Sequence, residues 1–135
     1  MNYLVDANVL SEPTKATPNP SVVAWLREHE AGLFLSPIVL GEMQCGILQL
    51  AAGRKRSSLT RWFDEGVKRL PVIEFDASSA SRWAQLLATL KRRGRAMPIK
   101  DSLIAASALQ HGLTVATHNT ADFVAAGVPI VDPFS

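Results

Sequence analysis

The chain is poor in cysteine, in aromatic residues and in long apolar runs, and each shortage excludes something. One cysteine, Cys45, cannot form an internal disulfide, which points to a reducing compartment. It falls in an apolar helical stretch, so an inert, buried thiol is expected. The three histidines, His29, His111 and His118, are scattered, and with a lone cysteine they make no zinc-type cluster. No run approaches the ~20 apolar residues that cross a bilayer. No basic segment followed by an apolar one opens the chain, so a cytoplasmic location is expected, with no membrane partner. Trp25, Trp62 and Trp83 recur at the spacing of helical core positions, so no base-stacking platform is evident. Neither charge dominates: 14 basic against 12 acidic residues leave +2, which permits a polyanionic partner without demanding one. Repeats, low-complexity segments and linkers are lacking too.

What is present is apolar residues, 47% of the total, spread over 135 residues. That suits one domain spanning 1–135 with a core of its own. Tyr3-Leu4-Val5 reads as a short buried strand ending at Asp6. Asn19-Pro20 and Ser36-Pro37 each place a capping side chain before a proline, the start of a helix. The second of these helices is expected to run from Ile38 to Ala52 and stop at Gly53. Arg54-Lys55-Arg56 reads as a basic turn before an amphipathic helix from Ser58 to Arg69. Leu33-Phe34-Leu35, Val72-Ile73-Glu74-Phe75, Thr114 to Thr117 and Pro129-Ile130-Val131 are further strands. Helices from Ala77 to Arg93, from Pro98 to Gln110 and near Ala121 fall between them. Short apolar strands alternating with helices predict an α/β fold, a parallel five-stranded sheet flanked by helices.

In such a fold ligands bind beyond the carboxyl ends of the strands. Asp6 ends the first strand, Glu42 lies near the start of the helix after the second, and Asp101 lies in the first turn of the helix opened by Pro98. Each has a plain structural account. Asp6 can cap a turn, Asp101 can favour its helix dipole, and Glu42 can form a salt bridge. Glu42 is the hardest to explain that way, because its neighbours are apolar and an unpaired buried carboxylate is costly. Carboxylates brought together need a proton or a cation, and an all-oxygen site suits magnesium or manganese. The chemistry that wants this arrangement is phosphoryl transfer by a metal-activated water.

These residues also carry a resemblance. Val5-Asp6-Ala7-Asn8-Val9-Leu10-Ser11-Glu12 resembles the first motif of PIN-domain nucleases, and Ser36 to Glu42 the second. Lys100-Asp101-Ser102-Leu103-Ile104-Ala105-Ala106-Ser107-Ala108 is similar to the third, and Thr117-His118-Asn119-Thr120-Ala121-Asp122-Phe123 to the fourth. The four occur in order and cover essentially the whole chain. Within that superfamily the chain is similar to VapC-type toxins, and Ser11-Glu12-Pro13 resembles the FitB branch. The resemblance implies a PIN-like domain, magnesium or manganese dependence and RNA cleavage. It also implies a homodimer and a VapB-like antitoxin that inserts a segment near the active site. Asp6, Glu42 and Asp101 are then the catalytic, metal-binding acids. The family's fourth acidic position often falls where this chain has Asn119, so Asn119 and Asp122 are weaker candidates to complete the site.

Lys91, Arg92, Arg93, Arg95 and Lys100 precede Asp101, and Arg93, Arg95 and Lys100 are candidates to guide RNA phosphates. The alternative is a solvated helix end. Other functions fit less well. A catalytically silent PIN-like module would be expected to have lost acids. A receiver domain wants paired acids at the first strand and a lysine after a late one. A haloacid-type phosphatase wants a second aspartate in place of Asn8.

Overall fold

Four short strands lie side by side in the order β2-β1-β3-β4, all parallel. In this computed structural model, which describes residues 1–135, they are β1 (Tyr3–Val5), β2 (Leu33–Phe34), β3 (Thr114–Ala116) and β4 (Ile130–Val131). β1 is central, and Leu4 and Val5 are fully buried because helices cover both faces of the sheet. The helices are α1 (Ala7–Leu10), α2 (Pro20–Glu28), α3 (Pro37–Leu48), α4 (Arg54–Glu65), α5 (Ala77–Arg92), α6 (Ile99–His111) and α7 (Thr120–Val124). The chain leaves β1 toward β2 on one side and later returns to β3 on the other. That reversal of direction opens a crevice at the carboxyl end of β1.

The fifth strand expected at Val72–Phe75 is reduced to one bridge, Leu35 with Val72, carried by hydrogen bonds from Leu35 N–H to Pro71 and from Ile73 N–H to Leu35. Val72 and Glu74 are exposed, so at this edge the segment has little apolar surface to press into the sheet. It extends the parallel order outward beyond β2.

Local chemistry sets the helix starts. Asn19 and Ser36 accept from the N–H groups of Ser21 and Ile38, each with a proline at the first helical position. Asp76 accepts from Ser79 N–H to open α5. Gly112, at φ 65°, closes α6 in the left-handed conformation that L side chains avoid. Three expected boundaries move. α3 ends at Leu48 rather than Ala52. Arg54-Lys55-Arg56 is the first turn of α4 rather than a loop, and α4 gives way at Gly66 to a single turn of 3-10 helix over Val67–Arg69. In both places a glycine decides where helix can start or stop.

Cys45 is exposed, against the expectation of a buried thiol. α3 turns Val39, Met43 and Ile47 inward at a spacing of four. Cys45 lies two residues from Met43, which carries it to the opposite face, where Gln49 Nε2 lies 3.5 Å from its sulfur. Apolar composition on every side of α3 had concealed which face was inside. The three tryptophans are half-buried, packed at the margin of the core or closing a gap between helices. Trp83 of α5 donates through Nε1 to Ser102 Oγ at 2.9 Å, and Ser102 Oγ donates to the carbonyl of Ile99 at 2.6 Å. Ser102, Ala105, Ala106, Ser107 and Ala108 are all buried, and their small side chains let α6 lie closely against its neighbours. The start of α6, which carries Lys100 and Asp101, is thereby pinned to α5.

Candidate functional site

Asp6 ends the central strand and at once caps α1. Its Oδ1 accepts from Ala7 N–H at 2.8 Å. Its Oδ2 accepts from Thr117 Oγ1 at 2.8 Å and from Asn8 Nδ2 at 3.2 Å. The side chain is buried, and its orientation is fixed by the start of α1 and by the end of β3. Asn8 spans the same gap, its Oδ1 accepting from His118 N–H at 3.0 Å. Thr117 Oγ1 also accepts from Asn119 N–H at 3.0 Å, so one hydroxyl links Asp6 to the loop after β3.

Asp6, Glu42, Asp101 and Asn119 line one cavity of about 270 Å³, with Asn8 and Lys100 on the same wall. The three acids singled out in the sequence are therefore brought together by β1, α3 and α6. Glu42 sits beside the inward-facing Met43 and is half-buried. Its Oε2 is ion-paired with Lys100 Nζ. Asp122 does not line the cavity; it lies on the exposed face of the first turn of α7, near enough to raise the pKa of Asp101. Asn119, not Asp122, is the residue that precedes α7 as its cap.

The basic candidates separate. Lys100 belongs to the cavity. Arg93 lines a different groove, between α5 and the end of α7, with Arg82 and Gln85. The C-terminal turn of α5 carries Arg93 away from the acids despite its nearness in sequence. Arg95 is exposed in the loop between α5 and α6.

Charge is crowded here. Burial, together with Asp6 and Asp122, pushes the Asp101 carboxyl up to about 6 from an ordinary 3.8. Burial also pushes Asp6 upward, against the lowering effect of Thr117 and Ala7. The folded state therefore holds its protons to higher pH than the unfolded state. By linkage, stability falls as pH rises through the window from about 4 to about 6 and stays lower above it. Thermal melts in EDTA at pH 5 and pH 7 are expected to show a lower Tm at pH 7. Asp101→Asn is expected to shrink that difference. An unchanged difference would place its origin elsewhere.

The donor set suits a hard dication: three carboxylates and an amide on one wall, all oxygen, without sulfur or imidazole. The acids share the cavity without converging on a single point, and one of them, Glu42, is ion-paired with Lys100. The residues fit a hard dication by donor chemistry, and side chains must move to close around it.

In the sequence Thr117 is the end of a strand and the first residue of the fourth motif, and nothing local marks it as the partner of Asp6. Thr117→Val keeps the shape and removes the hydroxyl. The buried Asp6 oxygen then loses a donor, and a cost of about 1–3 kcal/mol is expected in denaturant unfolding. Cleavage is expected to drop about tenfold as the carboxylate loses its fixed orientation. A variant indistinguishable from the parent in both would show the bond to be incidental.

Comparison with known proteins agrees with this geometry. A PIN domain model matches residues 3–128. Toxin FitB of Neisseria gonorrhoeae is 36% identical over 135 residues, 97% of each chain. VapC ribonuclease Y4jK of Sinorhizobium fredii is 35% identical over 97% of this chain and 96% of its own. The solved structure of FitAB bound to an IR36 DNA fragment contains a chain that superposes with a TM-score of 0.92 at 36% identity, covering 98% of this chain and 96% of that one. In sequence and in fold alike, the chain belongs to the PIN-domain family and, within it, to the VapC-type toxin ribonucleases.

Proposed function

We propose that this chain hydrolyses RNA phosphodiester bonds at the cavity shared by Asp6, Glu42 and Asp101, with magnesium or manganese as its cofactor, and that a VapB-like antitoxin restrains it. The observation that carries the reading is the meeting of three carboxylates from three separate elements in one cavity. A catalytically silent module would have no reason to keep that charge crowded, because crowding costs stability. Asp6, Glu42 and Asp101 would hold the ion, with Asn119 contributing an amide oxygen. When bound, the ion lowers the pKa of a water and stabilises negative charge on the phosphate.

The remaining work belongs to the chain. Thr117, Asn8 and the N–H of Ala7 hold Asp6 in one orientation, so little reorganisation is needed when substrate arrives. The cavity opens at the carboxyl end of the sheet, where a phosphate backbone can approach. Lys100 and Arg95 supply positive charge at that approach. A neighbouring groove of about 660 Å³, lined in part by Met43, Ile47, Leu59 and Trp62, shares Glu42 with the site. It offers an apolar seat for an antitoxin segment next to the acids. The FitAB and VapBC structures to which this chain is similar are complexes, which supports that partner. A homodimer is part of the same reading. No helix is long and apolar enough to cross a membrane.

The test is incubation of the purified chain, freed of any co-purifying protein, with labelled transfer, ribosomal and messenger RNA. Cleavage is expected with magnesium or manganese and not with EDTA, and addition of the product of an adjacent short reading frame is expected to suppress it. Intact RNA in all three classes under both metals would sink the proposal.

A further inference from the structure

The cavity already holds a cation, and it belongs to the protein. Lys100 lies in the first turn of α6, next to Asp101, and reaches across to Glu42 on α3. Its side chain is 58% exposed and that of Glu42 33%, so the pair sits at the rim rather than in the core. Three carboxylates and one ammonium share the wall, leaving a net deficit that a dication would neutralise. The ammonium binds an oxygen of Glu42, the partly exposed acid at the rim of the cavity. Asp6 is fixed by three hydrogen bonds, whereas Glu42 is half-buried with the Lys100 ammonium as its partner, so Glu42 is free to exchange that partner.

We infer that Lys100 is a resident counter-cation that competes with the metal for Glu42, so that metal entry exchanges one cation for another. The inference rests on the metal-site reading above. Two physical facts support it. An exposed ion pair is weak and can be broken at little cost. A lysine is a point charge on a long flexible stem, able to swing into solvent when displaced. The consequence is a site whose charges are partly compensated without metal. It fills at a higher concentration of divalent ion than the same acids would without the lysine, and it then has a freed ammonium at the rim, available to RNA phosphate.

Calorimetric titration of Mg2+ and Mn2+ into the metal-free chain tests this without reference to activity. Lys100→Met keeps the aliphatic stem and removes the charge. It is expected to bind Mg2+ about tenfold more tightly than the parent, whereas Lys100→Arg should stay near the parent. Removing a positive charge strengthens cation binding through the general field as well, so the decisive arm is a double-mutant cycle with Glu42→Gln. Competition for Glu42 predicts that Lys100→Met gains about twofold or less in the Glu42→Gln background. An equal gain in both backgrounds would overturn the inference, as would Lys100→Met binding no more tightly than the parent. Failure of the metal-site reading looks different: Asp6→Asn would then give the same isotherm as the parent, with or without Lys100, and that result would overturn both. Lys100 is solvent-facing, so its variants should fold, and circular dichroism melts check that they do.

Discussion

Asp6→Asn and Asp101→Asn are each expected to reduce RNA cleavage on the order of a hundredfold or more, while leaving the metal-free chain as stable as the parent or more so. The two halves of this result have one cause. Asparagine keeps an oxygen that can accept from Ala7 N–H, and its Nδ2 can donate to Thr117 Oγ1 once that hydroxyl turns to act as acceptor, so the cap on α1 survives in Asp6→Asn and the tie to β3 is kept with its direction reversed. The negative charge is lost, and with it the attraction for a dication. That same charge is a burden on the folded state. Burial raises both carboxyl groups above their ordinary range, with Glu42 adding to the rise at Asp6 and Asp6 to that at Asp101. Removing one relieves desolvation at one residue and repulsion at its neighbour. Cleavage assays paired with thermal melts in EDTA check both halves. A variant that loses cleavage and also melts well below the parent would mean that the acid is needed for folding, and its loss of activity would say nothing about chemistry. A variant that cuts as well as the parent would move the active site away from this cavity.

Phe123→Ala is expected to produce the largest loss of stability of any single truncation near the site, about 3–5 kcal/mol. Phe123 is fully buried and is the side chain that anchors α7. α7 has five residues, too few to be helical without packing. With the ring gone, the helix loses its hold, and the loop that presents Asn119 to the cavity loses its support. Cleavage should therefore fall with stability, unlike the aspartate variants, in which the two separate. Denaturant unfolding measures the first effect. Amide hydrogen exchange over 117–127 should report local opening beyond the global change. A cost below about 1 kcal/mol would show that α7 is held from elsewhere.

Much of the site was legible because its acids stand at the ends of elements that their own neighbours define. Val5-Asp6 is readable as a strand end, Ser36-Pro37 as a helix start with Glu42 one turn and a half further on, and Pro98 as a helix start before Asp101. The rest was hidden for definite reasons. Thr117 and Asp6 are joined by a hydrogen bond between residues 111 positions apart, and no local pattern encodes a bond of that span. Lys100 and Glu42 pair across 58 positions for the same reason. Arg93 looked like a neighbour of Asp101, but the turn between α5 and α6 sends it to another groove. Val72 to Phe75 has strand composition, yet at the edge of the sheet only one bridge forms.

Sequence alone determined the alternation of strands and helices, the caps, the parallel sheet and the three acids proposed for the site. These depend on residues close together in the chain, through backbone geometry and the period of apolar positions. Tertiary structure alone decided which side of α3 faces inward, that Asn119 rather than Asp122 lines the cavity, and that a lysine occupies Glu42. Those outcomes depend on where separate elements come to rest against one another, since burial and Coulomb interactions act through space and take no account of distance along the chain.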